Sequence, residues 1–180
     1  MMIEDGTGSG QKVEVNAENC MCCKSVTVPF QQHVNEDLEE AYSIVVAKTP
    51  TAAGDCFLYL KNTSNNPLMI CKAKVYTAAD EFVQVKVGDT GVPAGGAANT
   101  PINRNFGSGH TADCTCLDGV DITNLAGGAV VEDAFFDGAV SMNQIEWQSM
   151  LILPKNSVAT FYAVNGAIAL KMTLSILFHA

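Results

Sequence analysis

Residues 168–178 read IALKMTLSILF, and the way these side chains alternate decides the fold. Ile168, Leu170, Met172, Leu174, Ile176 and Phe178 fall on one side, with Ala169, Lys171, Thr173, Ser175 and Leu177 on the other. Successive side chains of an extended chain point to opposite faces, so this stretch predicts a long β-strand with one face in a core. LMICKAKV at 68–75 repeats the pattern, setting Met69, Cys71, Ala73 and Val75 opposite Lys72 and Lys74. FVQVKV at 82–87 does so again, with Val83, Val85 and Val87 opposite Gln84 and Lys86.

Further strands are expected at 42–48, 56–61, 129–136, 144–153 and 157–164. Turn signals part them: TAAGD at 51–55, NTSNNP at 62–67, PKN at 154–156 and VNGA at 164–167. Helical periodicity never runs beyond about two turns, and NEDLEEA at 35–41 is the one candidate for a brief helical turn. Strand following strand predicts an all-β chain, a jelly-roll-like antiparallel β-sandwich with an extended N-terminal arm. A length of 180 residues suits one such domain. The arm is drawn at 1–35 and the sandwich at 36–180. Residues 1–30 open with DGTGSG and lack a strand core, and residues 88–111 form a Gly/Pro/Asn-rich connection. A loop of that length is functional, disordered or held by a partner, so both segments are expected to order against neighbouring chains.

Charge narrows the partners. Only 16% of residues are charged, against about a quarter in typical domains, which leaves much neutral surface of the kind that meets other chains. The net charge is −9 and Arg104 is the single arginine. Nucleic-acid backbones need clustered cations, and the densest pair here is Lys72 with Lys74, so direct nucleic-acid binding is not expected. The start MMIEDGTGSG carries no secretory pattern, and GAIALKMTLSILF at 166–178 is too short to span a bilayer and holds Lys171. The expectation is a soluble protein, made in a reducing cytoplasm, with no membrane partner and with thiols rather than disulfides.

Candidate chemistry is sparse. NCMCCKS at 19–25 and CTC at 114–116 raise the question of a thiolate site built from Cys20, Cys22, Cys114 and Cys116. Structural zinc favours C-x₂₋₄-C knuckles, which neither cluster offers. Ala112, Cys114 and Cys116 alternate with Asp113 and Thr115, which suits buried thiols on a strand, so packing is the expected role and no metal or cofactor is assigned. DGTGSG lacks the Lys-Ser or Lys-Thr and the strand–helix context of a phosphate loop. Ser108 and His110 sit in a turn-rich loop, where neighbours on extended chain point apart, so no nucleophile is assigned. Asp118, Asp121, Glu132, Asp133 and Asp137 read as solvated loop acids, Trp147 beside Ile145 as a core anchor, and no catalytic residue is expected.

DGTGSGQKVEVNAENC at 5–20, FLYLKNTSNNPLMI at 57–70 and VPAGGAANTPINRNFGSGHTADCTCLDG at 92–119 together resemble stretches of virion structural proteins of tailed bacteriophages. CMCC and CTC stand where such proteins tend to carry Arg-Leu or Thr/Ala strand residues. The resemblance implies a non-enzymatic building block of the particle, foremost a capsid decoration or cement protein. Its alternatives are a neck, tail or fibre component, or a glycan-binding or glycan-hydrolysing virion protein. It also implies contact with the major capsid protein or other virion proteins, location in the virion, and a homo-oligomer with a trimer favoured. Asp5, Gly6, Thr7, Gly8, Val13 and Val15 of the arm, with Pro101, Asn103, Arg104 and Asn105 of the long loop, are the expected partner contacts.

Overall fold

The structure, a computed structural model, describes residues 3–4, 12–13, 29–139 and 143–178. The arm residues Asp5, Gly6, Thr7, Gly8 and Val15, together with Cys20 and Cys22, lie outside the described residues. Val13 belongs to β2 (Lys12–Val13), which pairs antiparallel with β1 (Ile3–Glu4). From residue 29 the order is α1 (Phe30–Glu36), β3 (Ala41–Lys48), β4 (Asp55–Asn62), β5 (Leu68–Thr77) and β6 (Glu81–Val87). It continues with β7 (Ala97–Ala98), β8 (Ile102–Asn103), β9 (Cys114–Asp118), β10 (Ala129–Phe136), β11 (Asn143–Leu153), β12 (Val158–Ala163) and β13 (Leu170–Phe178).

Two antiparallel sheets face each other, as the alternation demands. The first runs β10-β6-β12-β4-β9-β7 and the second β11-β5-β13-β3-β8. Leu170, Met172, Leu174, Ile176 and Phe178 of β13 enter the core between them, meeting Val83 and Val85 of β6 and Phe161 of β12. Aromatic pairs lock the filling: Tyr42 meets Phe178 edge to face at 5.9 Å, and Phe57 meets Phe161 at 6.4 Å. Trp147 packs against the same core.

One strand departs from the alternation read in the sequence. Met69 and Cys71 do not share the core face with Ala73 and Val75. On β13, Ser175 pairs with Lys72 and Ile176 with Ile70; on β11, Glu146 pairs with Lys72 and Leu151 with Ile70. β13 steps over Cys71, which is therefore the extra residue of a β-bulge that reverses the phase of the strand, and β11 breaks its register at the same place. Leu68 and Ile70 therefore enter the core, while Met69 and Cys71 turn outward to meet α1.

The helix is also displaced from 35–41. Pro29 occupies its N-cap with φ −55°, and Glu39 at φ 58° swings the chain into β3. Val34 anchors the helix on the outer face of the second sheet against Ala41, Cys71 and Leu177.

The segment between β6 and β10 roofs the other sheet. Thr90 bridges to Ala126 and Ala94 to Thr123, and Ile122 and Leu125 cover Cys56, Tyr59 and Val158 on the outer face of the first sheet. Much of the residue 88–111 connection is thus fastened to its own chain. In the same segment β9 pairs with β4 and β8 with β3, so the edges of both long strands are covered.

Burial sets an alkaline limit. It pushes the Cys56 thiol up to about 12 and, with Asp113 adding, the Cys114 thiol up to about 12. Burial raises Cys116, Tyr42 and Tyr162 further. Each group holds its proton more tightly folded than unfolded, so the folded state binds more protons once unfolded thiols begin to ionise near pH ~8.5. Their contribution to stability is therefore constant below that pH and falls as pH rises toward the folded values. Urea midpoints measured from pH 7 to 11 check this; a midpoint that holds constant or rises above pH 9 contradicts it.

Candidate functional site

The two sheets differ in what covers them. The first has its roof over β4 and β12, beyond which Phe82 of β6 and Phe135 of β10 stand exposed against each other. The second has α1 over one end and nothing from the described residues over the remainder. Register gives the layout of this open face. Ala41, Leu177, Met69 and Ile152 form the row at the helix. Next come Ile102, Ser43, Ser175, Lys72 and Glu146, then Val45, Thr173, Lys74 and Gln144. The last row holds Ala47, Lys171 and Tyr76.

Large apolar side chains stand in solvent here: Val45 at 55% exposure, Ile102 at 54%, Ile152 at 49% and Tyr76 at 44%. Val45, Ala47, Lys74, Tyr76, Lys171 and Thr173 line a shallow trough of about 270 Å³. Ser43, Ser175, Lys72, Thr173 and Lys171 stand among them, so the face is mixed, with exposed apolar side chains dispersed between polar ones. The local cause is visible in YSIVVAK: Val45 and Val46 are adjacent, so only Val46 can face the core. Sequence reasoning placed Lys72 and Lys74 on the outer side of their strand but missed this face. The consecutive valines, with Tyr76 after Val75, were the signal.

The second candidate surface is the loop after β8. Asn103 donates through Nδ2 to the Glu39 carbonyl at 2.8 Å, and its Oδ1 accepts from the Asn105 N–H at 2.8 Å. Asn105 in turn donates to the Asn35 carbonyl at 3.4 Å, and its Oδ1 accepts from the Gly107 N–H at 3.2 Å. The Arg104 N–H donates to the Ala41 carbonyl at 2.9 Å. Asn103 and Asn105, expected as partner contacts, thus hold the loop to α1, while Arg104 and half-buried Pro101 lie beside them. The loop so fixed presents Phe106, 92% exposed.

The candidate chemical groups do not converge. Cys116 is buried in the main core and Cys114 packs against it, which is the role the strand alternation predicts. No group of three or more His, Cys, Asp or Glu is disposed to hold a metal ion among the described residues. Ser108 Oγ accepts from the His110 backbone N–H at 3.0 Å, whereas the His110 ring lies 3.3 Å from Glu40. Asp118 pairs with Lys48 at 3.1 Å and accepts from Asn99 at 2.9 Å. Asp137 accepts from the Ala139 N–H at 2.8 Å. Two carboxylates that no motif announced are buried instead. Glu81 binds the turn after β12, and Asp89 binds the roof to the sheet.

No family model, no curated protein and no solved structure matches this chain.

Proposed function

We propose that this chain is a structural virion protein, a jelly-roll capsid decoration subunit that acts by binding and carries out no catalysis. Strand order is the observation that carries the reading. Counting the principal strands β3, β4, β5, β6, β10, β11, β12 and β13 from one to eight, the sheets run five-four-seven-two and six-three-eight-one. That order is the one expected of two nested Greek keys, and it supports reading the sandwich as a jelly roll, an architecture found among viral capsid domains. Fold alone does not give function; the surfaces supply the rest. An open sheet face carrying exposed apolar side chains and a hydrogen-bonded loop bearing an exposed phenylalanine are means of adhesion. Burying them on an assembled particle stabilises the bound form by mass action. The partners are the major capsid protein or other virion proteins, and sister copies of this chain.

Particles carrying a C-terminally labelled copy test the proposal. The label is expected at repeated positions on the capsid in electron micrographs. Particles whose copy lacks residues 1–28 are expected to open at a temperature several degrees lower. Absence of the chain from purified particles removes the reading. Label confined to neck, tail or fibre moves it to the corresponding component.

A further inference from the structure

We infer that the open face of the second sheet docks on the same face of a second copy, across a two-fold axis. The contact deepens the self-assembly part of the virion reading and rests on it. Two features of the face, charge and relief, point to a sister copy as occupant.

Charge is divided along the strands. The far rows carry Lys74 and Lys171, both exposed, in a chain whose net charge is −9. Lys74 lies across from Thr173 and Gln144, and Lys171 across from Ala47 and Tyr76. The ion pairs among the described residues involve neither lysine. Lys72, one row nearer the helix, has Glu146 across from it. At the helix end stand Glu36 and Asp37, both exposed, with Glu39 and Glu40 half-buried behind them. Gln32 and Glu36 lie on the side of α1 opposite buried Val34, so Glu36 points away from the sheet, held by Gln32 Nε2 at 3.0 Å. His33 contacts Asp37 at 2.5 Å and His110 contacts Glu40, while exposed Arg104 is the nearby full cation.

Glu36 and Asp37 also occupy the wrong end of their helix. The C-terminus of a helix carries partial negative charge and favours cations; this one ends in two acids. Local electrostatics opposes that arrangement, and cations supplied by another chain offset it.

Relief follows the same division. α1 is a ridge on one end of the face, and the rows from Val45 to Ala47 are a bare shelf at the other. Six residue steps along β13 separate Leu177 under the ridge from Lys171 on the shelf, about 20 Å at ~3.3 Å per step. A two-fold axis through the middle of the face lays each ridge on the opposite shelf. Glu36 and Asp37 then meet Lys74 and Lys171 twice, and Val45, Ile102 and Tyr76 are covered in both copies. An isologous contact of this kind closes at two copies, where the resemblance to phage virion proteins suggested three.

Sedimentation of the full chain, with circular dichroism confirming each variant folded, decides it. The native chain is expected to sediment at twice its 19.0 kDa mass at micromolar concentration. Its dissociation constant should rise at least about tenfold when salt screens the contact. A chain carrying Glu36→Lys and Asp37→Lys is expected to be monomeric, as is one carrying Lys74→Glu and Lys171→Glu. Mixed in equal amounts, the two variants should form a dimer, since each then offers the charge the other needs. A monomeric native chain, a salt-independent dimer, either variant dimeric alone, or a mixture that stays monomeric overturns the inference. So does a chain lacking residues 1–28 that dimerises where the native one does not, because the arm is then the occupant. All these measurements use purified protein, so their failure leaves particle binding to be judged by the labelled virions.

Discussion

Replacing Glu81 by alanine is expected to lower the melting temperature by roughly 6–12 °C, corresponding to about 3 kcal/mol in a chain of this size. The carboxylate is fully buried at the start of β6. Oε1 accepts from the Asn165 N–H at 2.7 Å and the Phe82 N–H at 2.9 Å, and Oε2 accepts from the Gly166 N–H at 3.1 Å. Asn165 and Gly166 are donors of a turn that β12 and β13 do not satisfy themselves, because the chain there crosses from one sheet to the other. Gly166 has φ 68°, and a Cβ on it would collide with the Ala52 carbonyl, so the turn is pressed against the neighbouring 50–54 turn. Ala167 N–H donates to the Pro50 carbonyl at 3.0 Å and Gly54 N–H to the Ala163 carbonyl at 2.8 Å. Glu81 thus fastens one end of the sandwich, where three connections meet. Removing it leaves the buried Gly166 N–H and the part-buried Asn165 and Phe82 N–H groups without this acceptor. Glu81→Gln is expected to fall between, because it keeps one acceptor oxygen and turns a donor toward donors. Calorimetric melting checks both; a shift below about 2 °C for the alanine variant means water replaces the carboxylate freely.

Legibility in the sequence followed the range of the interaction involved. Strand existence is a local property, and every strand expected from alternation or from flanking turn signals formed, from Ala41–Lys48 to Leu170–Phe178. Phase within a strand is less local. Cys71 carries no mark of a bulge, and it shows as an extra residue only when β13 steps over it and β11 breaks register beside it. After Asp137 only Glu146, Lys155 and Lys171 are charged, which reads as strands buried on two faces without saying what does the burying. For Leu177 and Ser175 it is the chain's own helix or its border, and for Lys171 and Thr173 nothing described covers them. The roof was least legible. Gly, Pro and Asn between 88 and 111 read as a functional, disordered or partner-held loop because the apolar residues that fix it, Ile122 and Leu125, come after β9. Glu81 and Asp89 were silent for the same reason: a buried carboxylate is recognised by the donors around it, and those lie far along the chain.

Asp89→Ala should release the roof, with a loss of about 3 kcal/mol and at least a tenfold faster alkylation of Cys56. Asp89 is buried at the root of the inserted segment. Its Oδ1 accepts from the Gly128 N–H at 2.8 Å where the segment returns to the sheet. Oδ2 accepts from the Tyr162 hydroxyl at 3.0 Å and, in a short bond, from the Thr160 hydroxyl, both on β12. One carboxylate therefore ties the two ends of the roof to the strand beneath it. Burial, with Cys56 and Asp89 adding, raises the Tyr162 hydroxyl, so it remains a donor through neutral pH, and the Lys86 ammonium 4.1 Å over its ring holds the phenol in place. A side chain at Gly128 would occupy the position of the Asp89 carboxylate, so Gly128→Ala should reproduce the phenotype through the other partner. Cys56 lies under the roof beside Tyr59 and Ile122, whereas Cys116 lies between the sheets. Mass-spectrometric alkylation rates therefore separate two openings. Cys56 accelerated beyond Cys116 means the roof lifts as its own unit. Equal acceleration means the roof and the sandwich come apart together, and no acceleration at Cys56 rules out Asp89 as the latch.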